Sequence, residues 1–344
     1  MNIRAADSAA MERARQRWDG IAKPLGSLGL LEDAVVRIAG LTGSEQVSVK
    51  KRAVIVMCAD NGVIAQGVSQ SGSDVTRIVS ENIANGTASV CRMSRAVGAD
   101  VFAVDIGMEQ ESQEPRLIRR AVRRGTRDMT MGPAMTREEA QQAIDTGIDM
   151  VRMCAEKGYE LLATGEMGIG NTTTSSAVAS VLLRRDVTEM TGRGAGLSDE
   201  GLRRKIAAIE KAVLVNEPDP DDAMDVLAKL GGFDIAGLAG VFLGGGIYRI
   251  PVLIDGFISA VAALCAARIC PESACAMLAS HVSAEPAASC ALDALGLKPL
   301  ITAGMRLGEG TGAVCAMPLL DLALVEYDSM NSFDDIGVEQ YKKY

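Results

Sequence analysis

Residues Glu160-Leu161-Leu162-Ala163-Thr164 run directly into Gly165-Glu166-Met167-Gly168-Ile169-Gly170-Asn171-Thr172-Thr173-Thr174, and these into the small, apolar stretch Ser175 to Leu183. A short apolar run, a glycine turn and a packable helix make the strand–turn–helix unit of an α/β protein. Glycines let the backbone approach a ligand with no Cβ between them, and the free N–H groups of a helix start point at an anion. Gly165 and Gly170 have P-loop spacing, but Asn171 stands where the P-loop lysine belongs. That argues against a triphosphate, and hence against an NTPase, and for a phosphate monoester held by amides and hydroxyls. Many glycine-rich turns bind nothing, so other residues must decide the matter.

Outward from this unit the same alternation repeats. Ala53-Val54-Ile55-Val56-Met57-Cys58-Ala59 is a continuous apolar run, as expected of a central parallel strand, and ends in Asp60-Asn61-Gly62. Asp100 to Val104 and Ile250 to Ile254 read as further strands, ending in Asp105-Ile106-Gly107 and Asp255-Gly256-Phe257. Helices are expected over 8–18, from a Ser27 cap to about 41, over 75–97, from Thr136 to about 157, from a Ser198 cap to about 216, from Phe233 onward, over 258–267, and from about 311 to 325. The pattern predicts a doubly wound, mostly parallel sheet with Asp60, Asp105, Glu166, Asp255 and the Glu309 loop on its C-terminal rim. A barrel would satisfy the same strand count.

The chain has 344 residues, 48% of them hydrophobic but only 3% aromatic, with 36 glycines. The core must therefore be built from aliphatic and small side chains that let elements sit close. A net charge of −9 gives no support to a general nucleic-acid or membrane-surface binder. The one basic run, Arg116 to Arg127, is read as a solvated, partly helical face. The eight cysteines show no CxxC spacing and fit reduced thiols inside apolar runs. With no apolar h-region at the N-terminus and no apolar run of eighteen residues, a soluble, cytoplasmic protein is expected.

Glu309 stands between Gly308 and Gly310, directly before a helix. A ligand packed against such a carboxylate would desolvate it and raise its pKa toward the range of a general base. A helix-start glutamate interacting with the dipole, worth about 0.3–1 kcal/mol, accounts for the same residues. Glu166 would repel a phosphate and is better suited to a ribose hydroxyl or an acceptor N–H, with helix capping as the alternative. His281 is the only histidine, and Ser283 and Glu285 lie too close in sequence to complete a triad with it, so a structural or substrate-orienting role is expected. One histidine and no clustered carboxylates give no support to a metal site. Lys205 could supply the cation the glycine loop lacks; a solvated surface lysine is the plainer alternative.

Taken together, KPLGSLG (23–29), ADNGV (59–63), GVS (67–69), GTRD with GPAMT (125–136), GEMGIGNTTT (165–174), GRGAG (192–196), FDIAGLAG (233–240), DGFISA (255–260), SHVSAEP (280–286) and RLGEGTGA (306–313) resemble the nicotinate-nucleotide:dimethylbenzimidazole phosphoribosyltransferases along nearly the whole chain. The resemblance implies a doubly wound α/β domain (45–325) and a small helical domain from both chain ends (1–44 with 326–344). It also implies a homodimer with active sites near the interface, and neither metal nor organic cofactor. The implied reaction moves the 5-phosphoribosyl group of nicotinate mononucleotide to an aromatic base, with inversion. Glu309 matches the family's general base and Glu166 a position close to both substrates. Gly168, Gly194, Gly196 and Lys205 match the phosphate and ribose contacts, and Asp234, Asp255, Phe257 and Ser283 positions around the nucleotide. Ser71 and Leu307 fall where the acceptor is expected. Val79 departs from the pattern, standing where a polar residue such as Gln is expected, so a less polar acceptor would also fit. Some relatives use phenolic acceptors, a number of them as two-subunit enzymes. The resemblance therefore also allows a phenol- or p-cresol-accepting enzyme, or a silent nucleotide-binding subunit of a heterodimer.

Overall fold

The computed structural model describes residues 2–342. Its six strands are β1 (Arg52–Ala59), β2 (Ala99–Gly107), β3 (Ile118–Arg119), β4 (Leu161–Met167), β5 (Val252–Ile254) and β6 (Met277–Ala279). They form one open sheet in the order β3-β2-β1-β4-β5-β6, every neighbouring pair parallel. A barrel is thereby excluded, since β3 and β6 end the sheet and do not pair with each other. The chain winds from β1 outward through β2 and β3, then returns to pair β4 on the other side of β1. The switch point lies between β1 and β4, where an α/β sheet opens a crevice at its strand C-termini.

All eight residues of β1 are buried, because both faces of the sheet are covered. Ala53, Ile55 and Met57 point into one core with α5 (Arg137–Glu156), α6 (Asn171–Leu182), α10 (Phe233–Tyr248) and α11 (Phe257–Ile269). Val54, Val56 and Cys58 point into the other, with α2 (Leu30–Thr42) and α13 (Thr311–Ser329). The chain ends meet there: Trp18, on α1 (Ser8–Gly20), lies 4.8 Å from Tyr327 between ring centroids, with Arg17 over the Tyr327 ring. No helix among the described residues is long and apolar enough to cross a membrane.

The glycine-rich composition serves helix-on-helix contact as well as helix-on-sheet contact. α5 and α10 cross at Gly147 and Gly240, where an added Cβ would overlap the Gly237 and Ile144 carbonyl oxygens. Thr136 caps α5 through a capping box with Glu139, and Ser198 caps α8 (Asp199–Asn216), as expected.

Three local expectations are corrected. Ser27 does not cap α2; Gly29 takes that place with a φ of 53°, and the Glu32 carboxylate accepts the Leu28 N–H while pairing with Lys23 at 2.6 Å. Residues 75–97 are not one helix but two, α3 (Ser73–Ala84) and α4 (Ser89–Ala96), because Gly86 turns left-handed at φ 77°. The arginine run has no helix either: it supplies the edge strand β3, while Arg124 pairs with Asp105 and Arg123 with Glu139. Four cysteines are buried and four half-buried, all free.

Replacing Gly240 by Ala should destabilise the fold by about 1–3 kcal/mol through overpacking at the α5–α10 crossing. Chemical denaturation checks this; an unchanged midpoint would show that the two helices can separate freely.

Candidate active site

A cleft of about 250 Å³ opens at the switch point, walled by residues from the ends of β4 and β5 and from the loops before α12 (Ala287–Ala294) and α13. Larger grooves of 340 and 580 Å³ lie elsewhere, but neither is lined by any of the cleft's carboxylates. The cleft brings together Glu166, Gly168, Gly194, Asp255, Phe257, Ser283, Leu307 and Glu309 from the sequence expectations, with Val79 and His281. Ser71, Gly196, Lys205 and Asp234 do not line it. Ser71 sits exposed in a turn closed by Ser69. Gly196 accepts the Gln70 side-chain amide through its carbonyl. Asp60 and Asp105 stand on the rim as expected but tie loops together: Asp60 accepts the Glu109 N–H at 2.7 Å, and Asp105 those of Gly107 and Met108.

Gly308, Glu309 and Gly310 form a left-handed turn, with φ of 87°, 62° and 102°. Such a conformation is costly for the glutamate and persists only where the surroundings over-determine it. Three contacts do so here. A Cβ at Gly165 would overlap the Glu309 carbonyl, so β4 meets the turn backbone to backbone. Asp255, at the end of β5, accepts the N–H groups of Gly310 (3.2 Å) and Ala313 (2.9 Å). The Glu309 carboxylate itself accepts the Val90 N–H at 3.0 Å, at the start of α4, where a helix favours an anion. Its other oxygen carries no hydrogen bond among the described residues, and the residue is half-buried at the cleft wall.

Asn171, in the place of the P-loop lysine, joins two acids instead of holding a phosphate. Its side-chain amide donates to Glu166 and, at 3.1 Å, to Asp234. Sequence reasoning missed this bridge; the available signal was an acid five residues before an amide across a glycine turn. Desolvation pushes the Glu166 carboxyl up to about 8; the amide opposes the shift, and the charges of Asp234, Asp255 and Glu309 add to it. Asp234 and Asp255 are each raised to about 6 by burial, offset by Asn171 for the first and by backbone N–H groups around Ala313 for the second. Without substrate, then, Glu166 keeps its proton at neutral pH, and Asp234 and Asp255 release theirs later than carboxyl groups in water would.

Beside these acids, and joined to them by Asn171, the cleft wall is the start of α6, capped by Gly170 at φ 92°, with the Thr172 hydroxyl next in the chain. Lys205 lies fully buried behind it, donating to Thr172 Oγ1 (2.9 Å) and to the Gly192 carbonyl (3.0 Å). Burial lowers its ammonium to about 8, with Glu285 opposing the shift. The lysine thus ties the two glycine loops together and places positive charge behind the helix start, an arrangement suited to a phosphate. His281 is buried at the far wall, where a Cβ at Gly312 would overlap its ring. Ser280 Oγ donates to the Ile254 carbonyl, which leaves it to accept from His281 Nδ1 at 3.2 Å. That sets the Nδ1–H tautomer and leaves Nε2 an acceptor. No group of three or more His, Cys, Asp or Glu residues among those described is arranged to hold a metal ion.

A phosphoribosyltransferase family model matches residues 3–338. The nicotinate-nucleotide–dimethylbenzimidazole phosphoribosyltransferase of Ruminiclostridium cellulolyticum is 49% identical over 99% of this chain and 97% of its own length. That of Acetivibrio thermocellus is 49% identical over 96% and 95%. A solved structure named CobT, from Thermus thermophilus, superposes with a TM-score of 0.92 at 38% identity, covering 97% of this chain and all of its own.

The Glu166 shift sets a pH dependence. Its folded pKa lies above the unfolded value of 4.5, so its contribution to stability is full below 4.5 and is lost as pH rises toward about 8. The parallel losses from Asp234 and Asp255 are largely complete by about 6, and Lys205, with a lowered pKa, acts in the opposite sense only above about 8. Between pH 6 and 8 the melting temperature of Glu166→Gln should therefore fall less than that of the unaltered protein; parallel curves would refute the assignment. Because His281 is the only histidine, nitrogen-15 NMR should show one imidazole in the Nδ1–H form near neutral pH; an Nε2–H signal would contradict the Ser280 contact.

Proposed function

The chain belongs to the nicotinate-nucleotide–dimethylbenzimidazole phosphoribosyltransferase family, and on that premise we propose that its cleft moves the 5-phosphoribosyl group of nicotinate mononucleotide to an aromatic nitrogen base, with Glu309 as general base. For 5,6-dimethylbenzimidazole the products are α-ribazole phosphate and nicotinate, the former being the lower-ligand nucleotide of cobamides. The observation that carries the role of Glu309 is its half-free carboxylate, held on a strained turn at the wall of a cleft at the sheet's switch point.

The pyridinium ring leaves when its bond to the anomeric carbon breaks and the electron pair returns to the ring nitrogen, giving neutral pyridine nitrogen with no proton required. One nitrogen of the acceptor attacks that carbon from the opposite face, which inverts it. The proton on the acceptor's other nitrogen becomes acidic as the bond forms, and Glu309 takes it. Positive charge builds at the ribosyl carbon during the exchange, and Glu166, whose carboxyl lines the cleft, stabilises it in its ionised form. The start of α6, backed by Lys205, is the proposed phosphate seat, with Gly168, Gly194 and Gly196 in its loops; Phe257 and Ser283 lie beside the nucleotide. Holding two substrates in line contributes about 7–11 kcal/mol, more than the base does, so positioning is the larger effect.

Val79 favours a second reading. It stands in the cleft wall with Leu307 and Met167 and offers no hydrogen bond to an acceptor, which suits a phenol or p-cresol as well as a benzimidazole; Leu307 and the nearby Ser71 loop are the proposed acceptor side. A homodimer and a cytoplasmic location belong to the same proposal, the latter supported by eight free thiols. The small helical domain of 1–44 with 326–344, of which residues 1, 343 and 344 lie outside those described, is supported by the Trp18–Tyr327 contact between the two chain ends.

Glu309→Gln should lower turnover by about 10²–10⁴-fold while nucleotide binding survives; full activity in that variant would remove Glu309 from the base role. Incubation of the purified protein with nicotinate mononucleotide and a panel of benzimidazoles, purines and phenols, followed by mass spectrometry, should yield a ribosylated benzimidazole. Phenol products alone would establish the phenolic acceptor, and binding without nicotinate release would mark a silent subunit.

A further inference from the structure

Asp255 follows β5 and is 3% exposed. Its own N–H donates to Thr164 Oγ1 at 3.3 Å, and that hydroxyl is bonded to the Leu253 carbonyl at 3.0 Å and to Ser259, so the residue is anchored from behind. Both of its carboxylate oxygens are taken by the start of α13: Oδ2 by the Gly310 N–H and Oδ1 by the Ala313 N–H. That helix has no side-chain cap of its own, since its N-cap residue is Gly310. Asp255 is therefore its cap, supplied from the sheet rather than from the preceding residue.

The two capped N–H groups follow the one non-glycine residue of the left-handed turn. Gly310 immediately follows Glu309, and its N–H belongs to the same peptide unit as the Glu309 carbonyl that presses on Gly165. One peptide plane is thus held from both ends, by β5 through Asp255 and by β4 through Gly165. Without the carboxylate, two buried N–H groups would lose their partner and the turn could relax toward a right-handed backbone. The Glu309 side chain would then leave the wall it now shares with the Val90 N–H.

We infer that Asp255 is a positioning residue that acts on the reaction through Glu309, by holding the Gly308–Gly310 turn left-handed and so aiming the base, and that it does not act as a ligand of the nucleotide. This rests on Glu309 being the base.

The test combines Asp255→Asn and Asp255→Ser with Glu309→Gln, measuring kcat per nucleotide-binding site as counted by titration with nicotinate mononucleotide, so that unfolded protein is not scored. Asn keeps one acceptor and the shape, and Ser keeps a small acceptor if Asn does not fold. Each single Asp255 variant should lose about 10–100-fold in kcat, the scale of a base displaced by about an ångström. KM for nicotinate mononucleotide should stay within about twofold, because no nucleotide contact is lost. In the Glu309→Gln background the Asp255 substitutions should cost less than about twofold further, since there is no base left to aim. A raised KM with kcat unchanged would make Asp255 a nucleotide ligand and overturn the inference. So would losses that multiply with those of a slow Glu309→Gln enzyme, an outcome that leaves the base itself in place. A fully active Glu309→Gln enzyme would remove base and positioning role together. A crystal structure of Asp255→Asn with residue 309 still at positive φ and its carboxylate still on Val90 would also overturn it.

Discussion

The contact on which the rest of this structure depends is the one between two backbones, Gly165 of β4 and Glu309 in the loop before α13. It leaves no room for a side chain on β4 and forces a glutamate into a left-handed conformation. Strain of that kind survives only where neighbours hold it, and here the neighbours come from four places in the chain: β4, Asp255 at the end of β5, the start of α4, and α13 itself. The parallel sheet brings these together because its strand C-termini share one edge and its winding reverses between β1 and β4.

Around this contact the cleft divides into two electrostatic halves. One is a floor of buried acids whose desolvation favours their protonated forms. The other is a helix start with a buried lysine behind it. Asn171 stands at their junction: it holds Glu166 and Asp234 on one side and opens α6 on the other. A lysine there would place a charge among acids that are otherwise spared ionisation, which gives the departure from a P-loop a positive reason.

The glycine count acquires specific meanings in the same way. Gly147 and Gly240 let two helices touch backbones under the sheet, Gly86 breaks a helix so that α4 starts at Ser89 with its Val90 N–H on the Glu309 carboxylate, and Gly165 admits the turn. Such positions resist substitution for different reasons: some because a Cβ would overlap a neighbour, others because the backbone there is left-handed.

The sequence by itself determined the class of fold, through continuous apolar runs ending in acids and alternating with capped helices, and it identified Glu309, Glu166 and the two glycine loops as residues of interest. These features are local: periodicity, caps and glycine spacing are written within a few residues of where they act. Only the tertiary structure decided the break at Gly86, the two partners of Asn171, the depth of Lys205 and the hydrogen bonds from Asp255 to the start of α13. Each depends on groups separated by many residues in the chain and adjacent only once the sheet is assembled, as Asp255 and Ala313 are. Burial, moreover, is a property of the assembled surroundings, so the protonation of Glu166 could not be read from the residues beside it.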